Sequence, residues 1–162
     1  AASSTGEEPY TLAMVLKRHL PAGQDFEILA SDIDTEVLDF ATNGVYPASR
    51  IDEIPAEYRQ KSITIGHGQA KGWFKIADAI HDRVTFCQHN LIEAKGPNGK
   101  TFDIIFCRNV WIYFSSATIK LLSSKLHGLL NDPGYLFIGH SESLPASNHL
   151  YNVIKPSIFR KI

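Results

Sequence analysis

The sequence predicts an α/β domain with a largely parallel sheet, and three observations predict it. Four apolar runs, Phe26 to Ser31, Val84 to His89, Phe102 to Phe106 and Tyr135 to Gly139, carry little polar alternation. That is what strands covered on both faces require. Helix-period segments separate most of these runs, the alternation that builds parallel strand pairs. The third observation is size: 162 residues with 44% hydrophobic content suffice for one sizeable core with an elaboration, and fall short of two ordinary domains.

Taken in order, Ala1 to Tyr10 reads as a turn entering a helix. Ser4 with Glu7, and Thr5 with Glu8, fit the capping-box spacing, and Pro9 is tolerated in a first turn. Leu12, Val15, Leu16, His19 and Leu20 recur at helical spacing and form the expected buried face, which Pro21-Ala22-Gly23 ends. The strand at Phe26 to Ser31 delivers Asp32 and Asp34 to its carboxyl end, and Asp34 is placed to cap a helix from Thr35 to about Thr42. In that helix Val37, Leu38 and Ala41 face inward, and Asn43-Gly44 supplies a left-handed stop. Residues 45–83 change character. Pro47, Pro55, Gly66, Gly68 and Gly72 punctuate them, and two short strand-like pieces, Ser62 to Ile65 and Trp73 to Ala77, predict a small inserted antiparallel β-subdomain. Beyond Asn90-Leu91, Gly96-Pro-Asn-Gly99 marks a surface turn. Ser115 or Ser116 is placed to cap a helix whose Ile119, Leu122, Leu126 and Leu129 face the core. Asn131-Asp-Pro-Gly134 then reverses the chain before the last buried strand, and the tail around Lys155-Pro156 reads as an antiparallel edge hairpin.

Composition removes several classes of function. Sixteen basic and seventeen acidic residues give a formal charge of -1, and no basic tract supports a nucleic-acid partner. No signal peptide is present, and no apolar run approaches the roughly 18 residues that span a bilayer, so no direct membrane insertion is expected. Cys87 and Cys107 have no second cysteine at metal or redox spacing and read as reduced core thiols of a cytoplasmic protein. The histidines are scattered, and no metal site is expected. Gly139-His-Ser-Glu-Ser143 lacks the second glycine of a nucleophile elbow, which argues against a serine hydrolase.

What remains is a set of polar residues beyond the strand ends, where open α/β sheets bind ligands. Gly6 turns into a helix, as in nucleotide sites, yet the full dinucleotide fingerprint is missing. Glu7 and Glu8 sharpen the choice. Carboxylates at a helix start repel a pyrophosphate and favour an ammonium or sulfonium cation, which disfavours NAD and suits S-adenosylmethionine. The plainer reading is that both only complement the helix dipole. Asp32 follows Gly6 at an offset close to that of ribose-binding acids, and Asp34 as the cap leaves it free for that role. Asn90 and Leu91 could offer an amide edge and an apolar wall to adenine, or simply form a turn.

These residues fall into motifs that resemble a known family. Ser-Thr-Gly-Glu-Glu-Pro-Tyr (4 to 10), Ala-Ser-Asp-Ile-Asp-Thr-Glu-Val-Leu (30 to 38), Asn90-Leu91, Phe-Cys-Arg-Asn-Val-x-Ile-Tyr-Phe (106 to 114) and Gly-His-Ser-Glu (139 to 142) resemble the chemotaxis receptor methyltransferase family CheR over nearly the whole chain. The resemblance implies a class I, Rossmann-like methyltransferase domain spanning 1–162. Such a domain transfers a methyl group from S-adenosylmethionine to receptor glutamates, leaving glutamyl methyl esters and S-adenosylhomocysteine. By motif, Glu7 would meet the methionine ammonium and Asp32 the ribose. Asn90 and Leu91 would surround the adenine, Cys107 and Arg108 would line the cofactor wall, and Tyr113 would face the reaction centre. The implied partner is the cytoplasmic domain of chemotaxis receptors, with a receptor C-terminal peptide as a further candidate at 45–83. Two departures accompany the resemblance as expectations: the family's N-terminal helical domain has no counterpart in these residues, and only Ala1-Ala2 stands where a first central strand is expected. A non-catalytic module that binds S-adenosylmethionine or a receptor tail, and a small-molecule methyltransferase, are the alternative functions.

Overall fold

The computed structural model describes residues 1–93, 96–144 and 149–162. The chain divides into two compact units, Ser3–Gln88 and Ala1–Ala2 with His89–Ile162. Buried side chains form one cluster in each.

In the first unit, helix α1 (Glu7–His19) begins differently from the expected capping box. Its N-cap is Gly6 at φ 90, and no side chain caps the helix. Packing decides this: a Cβ at Gly6 would lie 2.8 Å from the Ala41 Cβ and 3.0 Å from the Tyr46 hydroxyl, so the turn presses against its neighbours where only glycine fits. The buried face is also rotated. Pro9, Tyr10, Ala13 and Met14 are buried, whereas Leu12, Val15 and Leu16 are half-buried and His19 is exposed. Periodicity assigned the face by the aliphatic residues, but the core is aromatic. The Tyr10 ring stands 6.3 Å from Tyr46 and 5.6 Å from Phe86 between centroids, and stacks on His81 at 5.9 Å.

Strand β1 (Ile28–Asp32) leads into α2 (Thr35–Asn43), which Asp34 caps through its side chain and Gly44, at φ 61, terminates, as the sequence predicts. Three short strands follow, β2 (Val45–Pro47), β3 (Ile63–Ile65) and β4 (Trp73–Ile76), with one-turn helices α3 (Ala56–Arg59) and α4 (Asp78–His81) beside them. They form an antiparallel sheet in the order β2-β4-β3. The sequence showed no sign of β2, because three residues ending in proline are too few to display a period. Strand β5 (Val84–Gln88) then pairs in parallel with β1, from Ile28 opposite Val84 to Asp32 opposite Gln88.

The second unit contains β6 (Phe102–Phe106), α5 (Ser116–Leu129), β7 (Leu130–Phe137), β8 (Tyr151–Lys155) and β9 (Ile158–Lys161). The sheet order is β6-β7-β9-β8, with β6 and β7 parallel and the tail hairpin antiparallel. Ser115 caps α5 by accepting from the Thr118 N–H, and Leu122 and Leu126 are buried. The turn expected at Asn131-Asp-Pro-Gly134 lies inside β7, which begins at Leu130 and carries a register shift opposite Phe102 and Ile104. Pairing of Leu130 with Phe102 holds the strand through that irregularity, an advantage that local turn chemistry does not reveal.

Among the described residues the parallel strands thus lie in two sheets rather than one, and no strand precedes α1. Within its own unit, the Ala1 ammonium donates to the Phe106 carbonyl at 2.6 Å. In the other, the Ser3 N–H donates to Ser31 at 2.9 Å.

Candidate functional site

In the unit Ser3–Gln88 the predicted residues Glu7 and Asp32 flank one turn. Asp32 ends β1, and its carboxylate gathers backbone donors: Oδ2 accepts from the Ser4 N–H at 2.8 Å, and Oδ1 from Ile33 at 2.8 Å and Asp34 at 3.2 Å. A carboxylate offers about four acceptor positions, so the side chain that ties the turn to the strand retains one for a hydroxyl. Glu7 is engaged on both oxygens. Thr5 Oγ1 donates to Oε2 at 2.6 Å, and the Arg50 guanidinium pairs with Oε1.

Arg50 also grips Glu53, through Nε at 3.1 Å and Nη2 at 2.8 Å. The Glu53 and Glu7 carboxylates push the Arg50 pKa further up, and Arg50 pulls that of Glu53 down. Beside this cluster α1 and the antiparallel sheet border a half-open pocket of about 120 Å³, lined by Tyr10, Met14, Phe74 and Ile76 together with Glu7, Arg50 and Glu53. Burial raises the Tyr10 pKa to about 12, and raises that of Tyr46 with reinforcement from the Glu7 charge. The Tyr46 hydroxyl donates to Thr5 at 2.7 Å and braces the turn, while that of Tyr10 donates to Ala41 at 2.8 Å and ties α1 to α2.

In the other unit the loop after β6 carries Cys107, Arg108 and Tyr113. Cys107 is fully buried, its N–H donating to Phe137 at 2.9 Å and its carbonyl accepting from Trp111 Nε1 at 2.7 Å. Position 107 therefore anchors the loop through its backbone. Arg108 is half-buried, Asn109 turns left-handed at φ 59, and a 3-10 turn, Trp111–Tyr113, exposes 77% of Tyr113. Asn90 forms a tight turn, accepting from the Ile92 N–H at 3.0 Å, and Leu91 packs against the core of the same unit.

Two residues escaped the sequence reading. Arg50 sits in the irregular stretch 45–83, where nothing local links it to Glu7. Glu142 entered only as a letter of the failed hydrolase motif and of the family motif at 139 to 142, with no role attached, yet it is buried and its carboxylate accepts backbone N–H groups from Gly139, Asn109 and Trp111. Its signal was the glycine three residues earlier, which could have suggested a close approach.

Parallel strands whose carboxyl ends carry acids, a glycine turn into a helix and a polar loop define an α/β protein of the cofactor-binding kind. The sequence profile of the family described as "CheR methyltransferase, SAM binding domain" matches residues 1–159, and the chain belongs to that family. It is 39% identical over 160 residues to chemotaxis protein methyltransferase 2 of Pseudomonas aeruginosa, covering 98% of this chain and 57% of that one. It is 37% identical to the chemotaxis protein methyltransferase of Borreliella burgdorferi, covering 99% and 56%. To that of Escherichia coli it is 38% identical, covering 88% and 50%. The chain thus spans between 50% and 57% of the length of these curated relatives.

Proposed function

We propose that the chain is the S-adenosylmethionine-binding part of a protein-glutamate O-methyltransferase that esterifies chemotaxis receptors in the cytoplasm. The family match over residues 1–159 carries this reading. Among the described residues no helix is long and apolar enough to cross a membrane, which agrees with it.

The donor set fits the cofactor. Glu7 and Asp32 present acceptors suited to an ammonium and a ribose hydroxyl, and both keep acceptor positions beyond those already used. Bound S-adenosylmethionine supplies an electrophilic methyl group on a sulfonium. On this reading Glu7 holds the ammonium while Arg50 steadies its carboxylate, and Asp32 takes a ribose hydroxyl. The family motifs would assign Asn90 and Leu91 to the adenine surroundings and Cys107 and Arg108 to the cofactor wall. The acceptor carboxylate, with an ordinary pKa near 4.3, is already ionised at neutral pH, so the chain need move no proton. Its task is alignment, which can remove roughly 7 to 11 kcal/mol of barrier. The exposed Tyr113 hydroxyl orients the incoming carboxylate.

The edge strand β3 supports a finer reading. It pairs only with β4 among the described residues, and its own Ile65 is 45% exposed, an arrangement open to an added peptide strand such as a receptor tail.

Calorimetry with S-adenosylhomocysteine tests the site. Wild-type chain should bind, and Glu7→Ala and Asp32→Ala should each weaken binding about tenfold or more, the worth of a hydrogen bond to a charged group. Unchanged affinity in both variants would remove the assignment. Methyl transfer to a receptor cytoplasmic domain separates an enzyme from a non-catalytic module.

A further inference from the structure

The Gly139-His-Ser-Glu142 motif has no task in methyl transfer as described so far. Its glutamate is 9% exposed, and its carboxylate fills a nest of backbone donors. Oε2 accepts from Gly139 at 2.6 Å and from Asn109 at 3.1 Å, and Oε1 accepts from Trp111 at 3.0 Å. The last two donors lie 33 and 31 residues away in sequence, in the loop that carries Arg108 and Tyr113.

Three further observations converge on the same contact. Asn109, one of the donors, holds a left-handed φ of 59, a conformation uncommon outside glycine that asparagine tolerates better than most residues. Gly139 leaves room for the carboxylate: a Cβ there would stand 2.6 Å from Glu142 Oε2 and 3.2 Å from the Asn109 nitrogen. The Trp111 ring is buried and its indole N–H closes back on Cys107, so the carboxylate and the indole grip the loop at adjacent points.

We infer that Glu142 is a positioning residue whose carboxylate sets the conformation of the Cys107–Phe114 loop and thereby the display of Arg108 and Tyr113. The loop geometry stands apart from the proposed function, and only the consequence for cofactor affinity rests on that reading. A buried anion that collects amides from two segments is suited to this work, because hydrogen bonds to a charged acceptor are about twice as strong as neutral ones. The same nest, emptied, would accept another small carboxylate.

The test uses the whole chain with Glu142→Ala and, as a better-filled second variant, Glu142→Gln, whose amide offers one acceptor oxygen and an NH₂ that cannot accept. Amide exchange at residues 108–113 is followed in chloride and in formate of equal ionic strength. The Asn109 and Trp111 amides of Glu142→Ala should exchange about tenfold or more faster, beyond any change shared by β6 and β7. Formate should restore them by entering the vacated nest, whereas Glu142→Gln should be impaired and insensitive to formate. Affinity for S-adenosylhomocysteine should fall and recover in parallel. Acceleration shared equally by loop and strands, with no response to formate in Glu142→Ala, would overturn the inference, as would wild-type exchange in both variants. If the wild-type chain does not bind S-adenosylhomocysteine, the functional reading fails while the exchange measurements still decide the role of Glu142.

Discussion

Asp32 and Glu142 perform the same local operation in the two units, and their surroundings separate what each can do. Both are carboxylates near the ends of parallel strands, and each gathers three backbone N–H groups, one or more from a segment distant in sequence. Asp32 is only half-buried and keeps an acceptor position, so it can tie down a turn and still meet a ligand. Glu142 is buried among its donors, so its work is confined to holding the loop. A carboxylate at a strand end is thus a ligand group or a scaffold group according to its exposure, a property invisible in the residue itself.

The largest expected effect breaks the buried member of the pair. Glu142→Ala leaves three amides without their charged acceptor, and urea unfolding of the second unit should lose roughly 3 kcal/mol. A loss below about 1 kcal/mol would place Glu142 no deeper than an exposed cap.

Next comes alkaline pH, which acts on the unit of Asp32. The Tyr10 pKa is raised from 10.0 to about 12, so above pH 10 the unfolded chain gives up a proton that the folded chain keeps. The contribution of Tyr10 is therefore complete below pH 10 and should fall by roughly 2 to 3 kcal/mol by pH 12, with a similar loss from Tyr46 over the same window. Denaturant titrations across that window should show the slope, and Tyr10→Phe should reduce it by about half, leaving the part that the buried Tyr46 phenol contributes.

Gly139→Ala sharpens the contrast from the other side by crowding the Glu142 carboxylate. We expect a cost of about 1 to 3 kcal/mol in urea unfolding, concentrated in the second unit. Asp34→Ala removes an exposed cap one step from Asp32, at roughly 1 kcal/mol by the same measurement, and should leave S-adenosylhomocysteine affinity unchanged. Glu53→Ala is the smallest perturbation: an exposed partner of Arg50 should cost no more than about 0.5 kcal/mol in thermal unfolding.

Much of this could be read from the residues. The strand runs of β1, β5, β6 and β7, the Asp34 cap, the Gly44 stop, the buried leucines of α5 and the tail hairpin all follow local rules of period, cap and turn. The loop from Cys107 to Tyr113 stood out because an apolar run stops there in polar residues. What escaped was nonlocal. The buried face of α1 follows an aromatic cluster assembled from α1, β2, α4 and β5, and the glycine N-cap follows the approach of Ala41 and Tyr46.

The sequence by itself determined the α/β class, most of the longer elements and the motifs that mark the family, because period, caps and turn residues act over a few neighbours. Only tertiary structure decided which charges meet. Arg50 finds Glu7 across 43 residues, and Glu142 finds Asn109 across 33. The physical reason is that a carboxylate has no preference for a donor near it in sequence: it takes the N–H groups that folding leaves without partners, and packing alone selects them.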